Sequence, residues 1–195
     1  MEYKLVDHMT FLNILTKLPL LAHAAATVAA FVAFNQIKAR LDALYAASRH
    51  PVDYATGQTT FDAGKIKSYY AQMQDFGTLD IYAATQRFDF LFILSMAAFG
   101  GCLATLVARA SRPGTIGRNL GLAAGISLLT GCVMDVLENL ISFALLANPQ
   151  GFADWLALPY SAFAALKFAA ITLAMGMVLA SAVFAVVARL TRRTT

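Results

Sequence analysis

Hydrophobic positions in this chain gather into four long blocks, and the polar residues between them mark where each block ends. The blocks run over about residues 18–36, 88–108, 119–147 and 159–187. Each is long enough to cross a hydrocarbon layer about 30 Å thick. Residues 37–87 form the one sizeable polar segment. The pattern predicts an all-α fold, an integral membrane four-helix bundle, with a single transmembrane domain over residues 1–195.

Two shorter elements are expected outside the spans. Leu5, Met9, Leu12 and Thr16 fall at helical spacing, which predicts a short amphipathic helix on the membrane surface before the first span. A cleavable signal peptide fits this segment poorly, because it carries Glu2 and Asp7 and no small-x-small site follows its apolar run. In the loop between the first two spans, Arg49–Gly57 reads as irregular chain broken by Pro51 and Gly57. Ile66, Tyr69, Tyr70, Met73 and Phe76 then form a helical stripe expected to pack on the bundle, with Gly77 ending it and Thr78 capping the next helix. Small residues make ridges for close helix approach at Ala97, Gly101 and Thr105 and at Gly117, Gly121 and Gly125. Pro159 opens the last span, and Trp155 with Tyr160 suits an interfacial aromatic belt.

Composition agrees with this class. The 195 residues are 59% hydrophobic and only 13% charged, against about 25% charged in a soluble domain. Mean hydropathy is +0.63. The net charge of +4 comes from basic residues beside the apolar blocks, with little aromatic interleaving, so nucleic acid is not an expected partner. The lipid bilayer is. Cys102 and Cys132 lie inside apolar blocks at depths roughly 10 Å apart by helical rise and read as buried hydrophobes, not as a disulfide. His23 lies within the first span and is expected to hydrogen-bond a neighbouring helix; no second histidine sits at its depth to complete a haem site, and no cofactor or metal is implied. The turn Arg109–Arg118 and the C-terminal tail each carry three arginines and no acid, which predicts cytoplasmic termini.

Against this apolar background stand a few ionisable residues. Asp135, Glu138 and Asn139 are spaced three and four apart, so they share one face of the third span. An acid near the bilayer centre costs at least about 2.5 kcal/mol, so these groups need partners. Glu138 lies about 13 Å from the end of its span and Lys167 about 12 Å into the next, from the same side. They are expected to meet at one level. Asp135 is one turn deeper, and Asp89 lies nearer the mouth, in the first turn of the second span. One lysine cannot balance three acids, so one carboxyl is expected to stay protonated, Asp135 as the deepest. Asp89, Asp135, Glu138, Asn139 and Lys167 are therefore the candidate residues for binding a ligand or a proton.

The segments Tyr82-Ala-Ala-Thr-Gln-Arg-Phe-Asp89 and Asp135-Val-Leu-Glu-Asn139, with Lys167, resemble those of a family of small, mostly bacterial four-span membrane proteins with an Asp-x-x-Glu-Asn element in the third span. The likeness covers roughly residues 59–175; a Pro-x-x-Tyr expected after the aspartate is replaced by Ile93-Leu-Ser-Met96. It implies a four-span fold with a shared polar constellation, in a bacterial inner membrane, and it implies no reaction. Three functions compete. The first is binding or transport of a small molecule, lipid or proton through the polar face. The second is a structural or accessory subunit of a larger membrane complex or helix-mediated oligomer. The third is a lipid-modifying enzyme, with Asp135 or Glu138 as acid or base; the chain shows no nucleophile–base pair, no metal-ligand spacing and no phosphate-binding glycine loop, so the sequence leans away from an enzyme.

Overall fold

The computed structural model describes residues 12–191. The chain is 84% helical with no strand among the described residues, so the fold is all-α. Helix α1 is Leu20–Ala47, α2 Tyr54–Gln58, α3 Ala63–Asp75, α4 Leu79–Ala108 and α5 Ile116–Ala147; a 3-10 turn at Asp154–Leu156 leads into α6, Ala157–Thr191. Four of these, α1, α4, α5 and α6, are long and apolar enough to cross a membrane. Large apolar side chains such as Leu94, Leu140, Leu166, Leu173 and Leu179 are more than half exposed, the surface expected where lipid is the solvent.

The helices outrun the apolar blocks. α1 continues past Gln36 to Ala47 because Lys38-Ala-Arg-Leu-Asp-Ala-Leu44 are good helix formers, with Lys38 and Asp42 paired one turn apart. It stops where Arg49 takes a left-handed backbone (φ 55°) before His50-Pro51. The segment expected to be irregular contains a short helix, α2, whose first turn is capped by Asp53 accepting from the Thr56 N–H. Gly57 lies inside that helix and does not break it; a Cβ there would come within 2.9 Å of the His50 ring.

Of the described residues, 12–33, 96–131 and 169–191 form one compact unit and 34–95 and 132–168 another. In the first unit Leu12, Ala108 and Leu122 make a small core. Leu12 is 1% exposed, so residues 12–16 form a helical turn packed on protein, where a surface-lying helix was expected; the rest of that expected helix and the end of the C-terminal tail lie outside the described residues. The Gly117–Gly121–Gly125 ridge is a line of close approach: a Cβ on Gly121 would meet the Ala108 backbone at 2.8 Å. Gly101 departs from the expected ridge, with nothing within 4 Å of its Cβ direction. His23 is fully buried, with Nε2 3.0 Å from the Cys102 carbonyl and Nδ1 3.3 Å from Arg109 Nη1. Arginine only donates, so Nδ1 accepts and Nε2 carries the hydrogen given to Cys102. It is a helix-tying histidine.

The second unit is built on Ile66, Tyr70, Met73, Tyr82, Leu145, Phe152, Ala157 and Tyr160. Ile66, Tyr70 and Met73 supply the packed stripe of α3. Phe76 leaves it: the side chain is half exposed and the Arg49 guanidinium lies 4.0 Å over its ring, where Gly77 (φ 66°) ends the helix. The Thr78 hydroxyl donates to the Ser48 carbonyl at 2.6 Å, tying the start of α4 to the end of α1. Tyr160 also departs from expectation. It is 2% exposed and faces the core, while Trp155 is 69% exposed.

Candidate functional site

Within the second unit three helices turn the same kind of face inward. On α4 the buried positions include Tyr82, Thr85, Gln86, Asp89 and Ile93; on α5 they include Asp135, Glu138, Asn139, Ser142 and Leu145; on α6, Ala157, Tyr160, Ser161, Ala164 and Lys167. Each series steps by threes and fours, the spacing that keeps side chains on one side of a helix. All five expected site residues lie on these faces and meet there.

Lys167 is the centre. Its Nζ donates to Asp135 Oδ1 at 2.6 Å and to Glu138 Oε2 at 2.7 Å. Both acids come from adjacent turns of α5, so one ammonium bridges them. Asp89 takes no part in that pair. Its Oδ2 accepts from Asn139 Nδ2 at 2.6 Å. Asn139 is held in turn by Gln86 Nε2, which donates to Asn139 Oδ1 at 3.2 Å and to Ser142 Oγ at 2.8 Å. The network fixes the amide orientation: Asn139 can offer its NH2 to the acid because its carbonyl oxygen is already engaged. All of these groups are at most 7% exposed. Glu138 Oε1 and the Tyr70 hydroxyl are buried with no hydrogen-bond partner among the described residues.

This arrangement alters the expected charge distribution. Asp135, expected to stay neutral as the deepest acid, is bonded directly to the ammonium. Asp89 is the acid that faces only a neutral amide. Gln86 and Ser142 were missed as members of the site, although the signal was there: Gln86 is three residues before Asp89 and Ser142 three after Asn139. Among the described residues no group of three or more His, Cys, Asp or Glu side chains is placed to hold a metal ion.

A second polar group, the half-buried His50, lies outside the spanning helices. The His50 ring sits 5.3 Å from the Tyr45 and Tyr82 rings and 5.2 Å from Tyr69, while its Nδ1 is 2.9 Å from the Val52 carbonyl oxygen. Burial among these rings lowers its pKa from the usual 6.5. Sequence reading placed His50 in a loop and assigned it nothing, because its partners come from four separate stretches of chain.

Comparison with protein-family models, curated proteins and solved structures returns no match.

Proposed function

We propose that this membrane protein takes up and releases a proton within the span, at the carboxyl cluster around Lys167. One observation carries the reading: a single ammonium bonds two of three clustered acids and the third, Asp89, meets only a neutral amide, all nearly excluded from solvent. With every group ionised the cluster would hold a net charge of −2 (one positive, three negative), which an apolar surround does not tolerate. Protons are the simplest counter-charge, since every other side chain in the network is neutral. Two seats are available: Asp89 and Glu138 Oε1, the first with no cation bonded to it and the second with no hydrogen-bond partner among the described residues. The close packing of the cluster favours a proton over a bulky small molecule or lipid as the species exchanged. The likeness to the four-span family with its Asp-x-x-Glu-Asn element belongs to this proposal, as do a bacterial inner-membrane location and cytoplasmic termini, supported by the arginine-rich, acid-free turn at Arg109–Arg118.

A second reading is a register lock for a structural subunit, favoured by the Gln86–Asn139–Ser142 bonds that tie α4 to α5. Infrared difference spectroscopy across a pH titration separates the two. The proton reading expects a protonated-carboxyl band that titrates in the parent and is lost or split in Asp89→Asn, and proteoliposome acidification that falls in Asp89→Asn and Glu138→Gln. A folded Asp89→Asn protein with an unchanged carboxyl spectrum and unchanged proton movement would establish the lock instead.

A further inference from the structure

The first unit holds a cavity of about 440 Å³ where the turn joining α4 to α5 meets the C-terminal part of α6. Ser111 and Arg112 from the turn, and Phe184, Ala185, Ala188 and Arg189 from α6, line it. The Ser181 hydroxyl donates to the Gly117 carbonyl at 2.6 Å and pins the two helices beside it. Beside it the turn and α6 approach closely at Gly117, where a Cβ would come within 2.6 Å of Ser111 Oγ and 3.1 Å of Phe184 Cβ.

Its electrostatics are one-sided. The described residues of this unit include Lys17, Arg109, Arg112, Arg118 and Arg189 and no Asp or Glu. Arg109 is engaged with the Leu18 carbonyl and His23, and Arg118 with Asn13 and Thr16. The side chains of Arg112 and Arg189, both cavity-lining, have no hydrogen bond or ion pair among the described residues. Two arginines lining a half-open cavity offer planar guanidinium donors, the groups that suit phosphate oxygens. Ile116, Phe184, Ala185 and Ala188 give the cavity an apolar wall as well, with Ile116 exposed by 65%. A free phosphate ion gains nothing from such a wall; an acyl chain does. α6, at 35 residues, is about 52 Å long by helical rise, more than a hydrocarbon layer needs, so its last turns extend to headgroup level.

We propose that this cavity binds the headgroup of an anionic phospholipid, with the phosphate between Arg112 and Arg189 and the start of an acyl chain along Phe184 and Ala188. The site is separate from the carboxyl cluster and does not depend on its function.

The test is lipid binding to the purified full chain in detergent, read by native mass spectrometry with phosphatidylglycerol and phosphatidylcholine of identical acyl chains, and with inorganic phosphate as competitor. Phosphatidylglycerol is expected to bind at least tenfold tighter than phosphatidylcholine. Arg112→Gln/Arg189→Gln is expected to lose that preference, and Arg40→Gln/Arg87→Gln, which removes the same charge elsewhere, to keep it. Should the cavity double variant fail to fold, Ala188→Phe decides: it fills the space with both arginines intact and is expected to lose the bound lipid. Equal binding of the two lipids, an unaltered preference in Ala188→Phe, or equal losses in the two double variants would each overturn the proposal. Full displacement of the lipid by millimolar inorganic phosphate would assign the site to a free anion and overturn the lipid assignment.

Discussion

Replacing Lys167 by methionine probes the cluster most directly. The substitution keeps an unbranched apolar stem and removes the ammonium that bonds both Asp135 and Glu138. Removing one partner of a buried ion pair costs about 3–5 kcal/mol, because the other charge is left in the interior. An independent route gives a similar size. The stranded acids can escape by protonation, and holding one ordinary glutamic acid (about 4.3) neutral at pH 7 costs 2.7 pH units at 1.36 kcal/mol each, about 3.7 kcal/mol. Lys167→Met is therefore expected to lose about 3–5 kcal/mol in reversible unfolding, measured in mixed micelles of rising sodium dodecyl sulfate content. Lys167→Met/Asp135→Asn/Glu138→Gln, which removes the acids' charge as well, should stay within about 1.5 kcal/mol of the parent, since neutral replacement of a buried ionic group is often tolerated. A single variant within about 1 kcal/mol of the parent, or a triple variant no better than the single, would refute the view that Lys167 neutralises these two acids.

Three further outcomes are expected. Gly121→Ala should cost about 1–3 kcal/mol in the same unfolding assay because its Cβ would press on the Ala108 backbone, whereas Gly101→Ala, with open space, should cost nothing or stabilise slightly. Asn139→Ala strips Asp89 of its donor and Gln86 of an acceptor, and should cost about 1–3 kcal/mol, with Gln86→Ala adding less than its single-variant loss when combined. His50 has a folded pKa lowered by burial, so its stabilising contribution is complete above about 6.5 and declines as pH falls from there through the lowered folded value; thermal melts at pH 7.5 and 5.5 should show a loss in the parent that is smaller in His50→Gln.

The spans, and one wall of the site, were legible because helical geometry is local. Asp135, Glu138 and Asn139 announce a shared face by spacing alone, and counting rise from the span ends put Lys167 beside Glu138, where the structure places them 2.7 Å apart. Charge assignment was not legible. Depth suggested Asp135 as the neutral acid, but which acid meets the ammonium depends on rotation of α5 against α6, and spacing within one helix carries no such information. The same limit explains Tyr160, read as an interfacial residue from its position near a span end and found in the core. It explains His50, whose aromatic surround is assembled by α1, α3 and α4 together. Gly57 looked like a breaker because glycine usually is one; its small size instead admits a ring.

A register lock and a proton site ask different things of the same residues. A lock needs matched donors and acceptors, and Gln86, Asn139 and Ser142 already supply them across α4 and α5 without any charge. An asparagine at position 89 could accept the Asn139 hydrogen bond through its carbonyl oxygen and would hold register equally well, with none of the penalty of an intramembrane acid. The same holds for Lys167, which needs one carboxylate to be neutralised and is given two. What aspartate at 89 and a second acid on α5 add is therefore not geometry. They add titratable sites in a region where ionisation is costly, and a group that differs from its amide only in the ability to exchange a proton is the signature on which the proton reading rests.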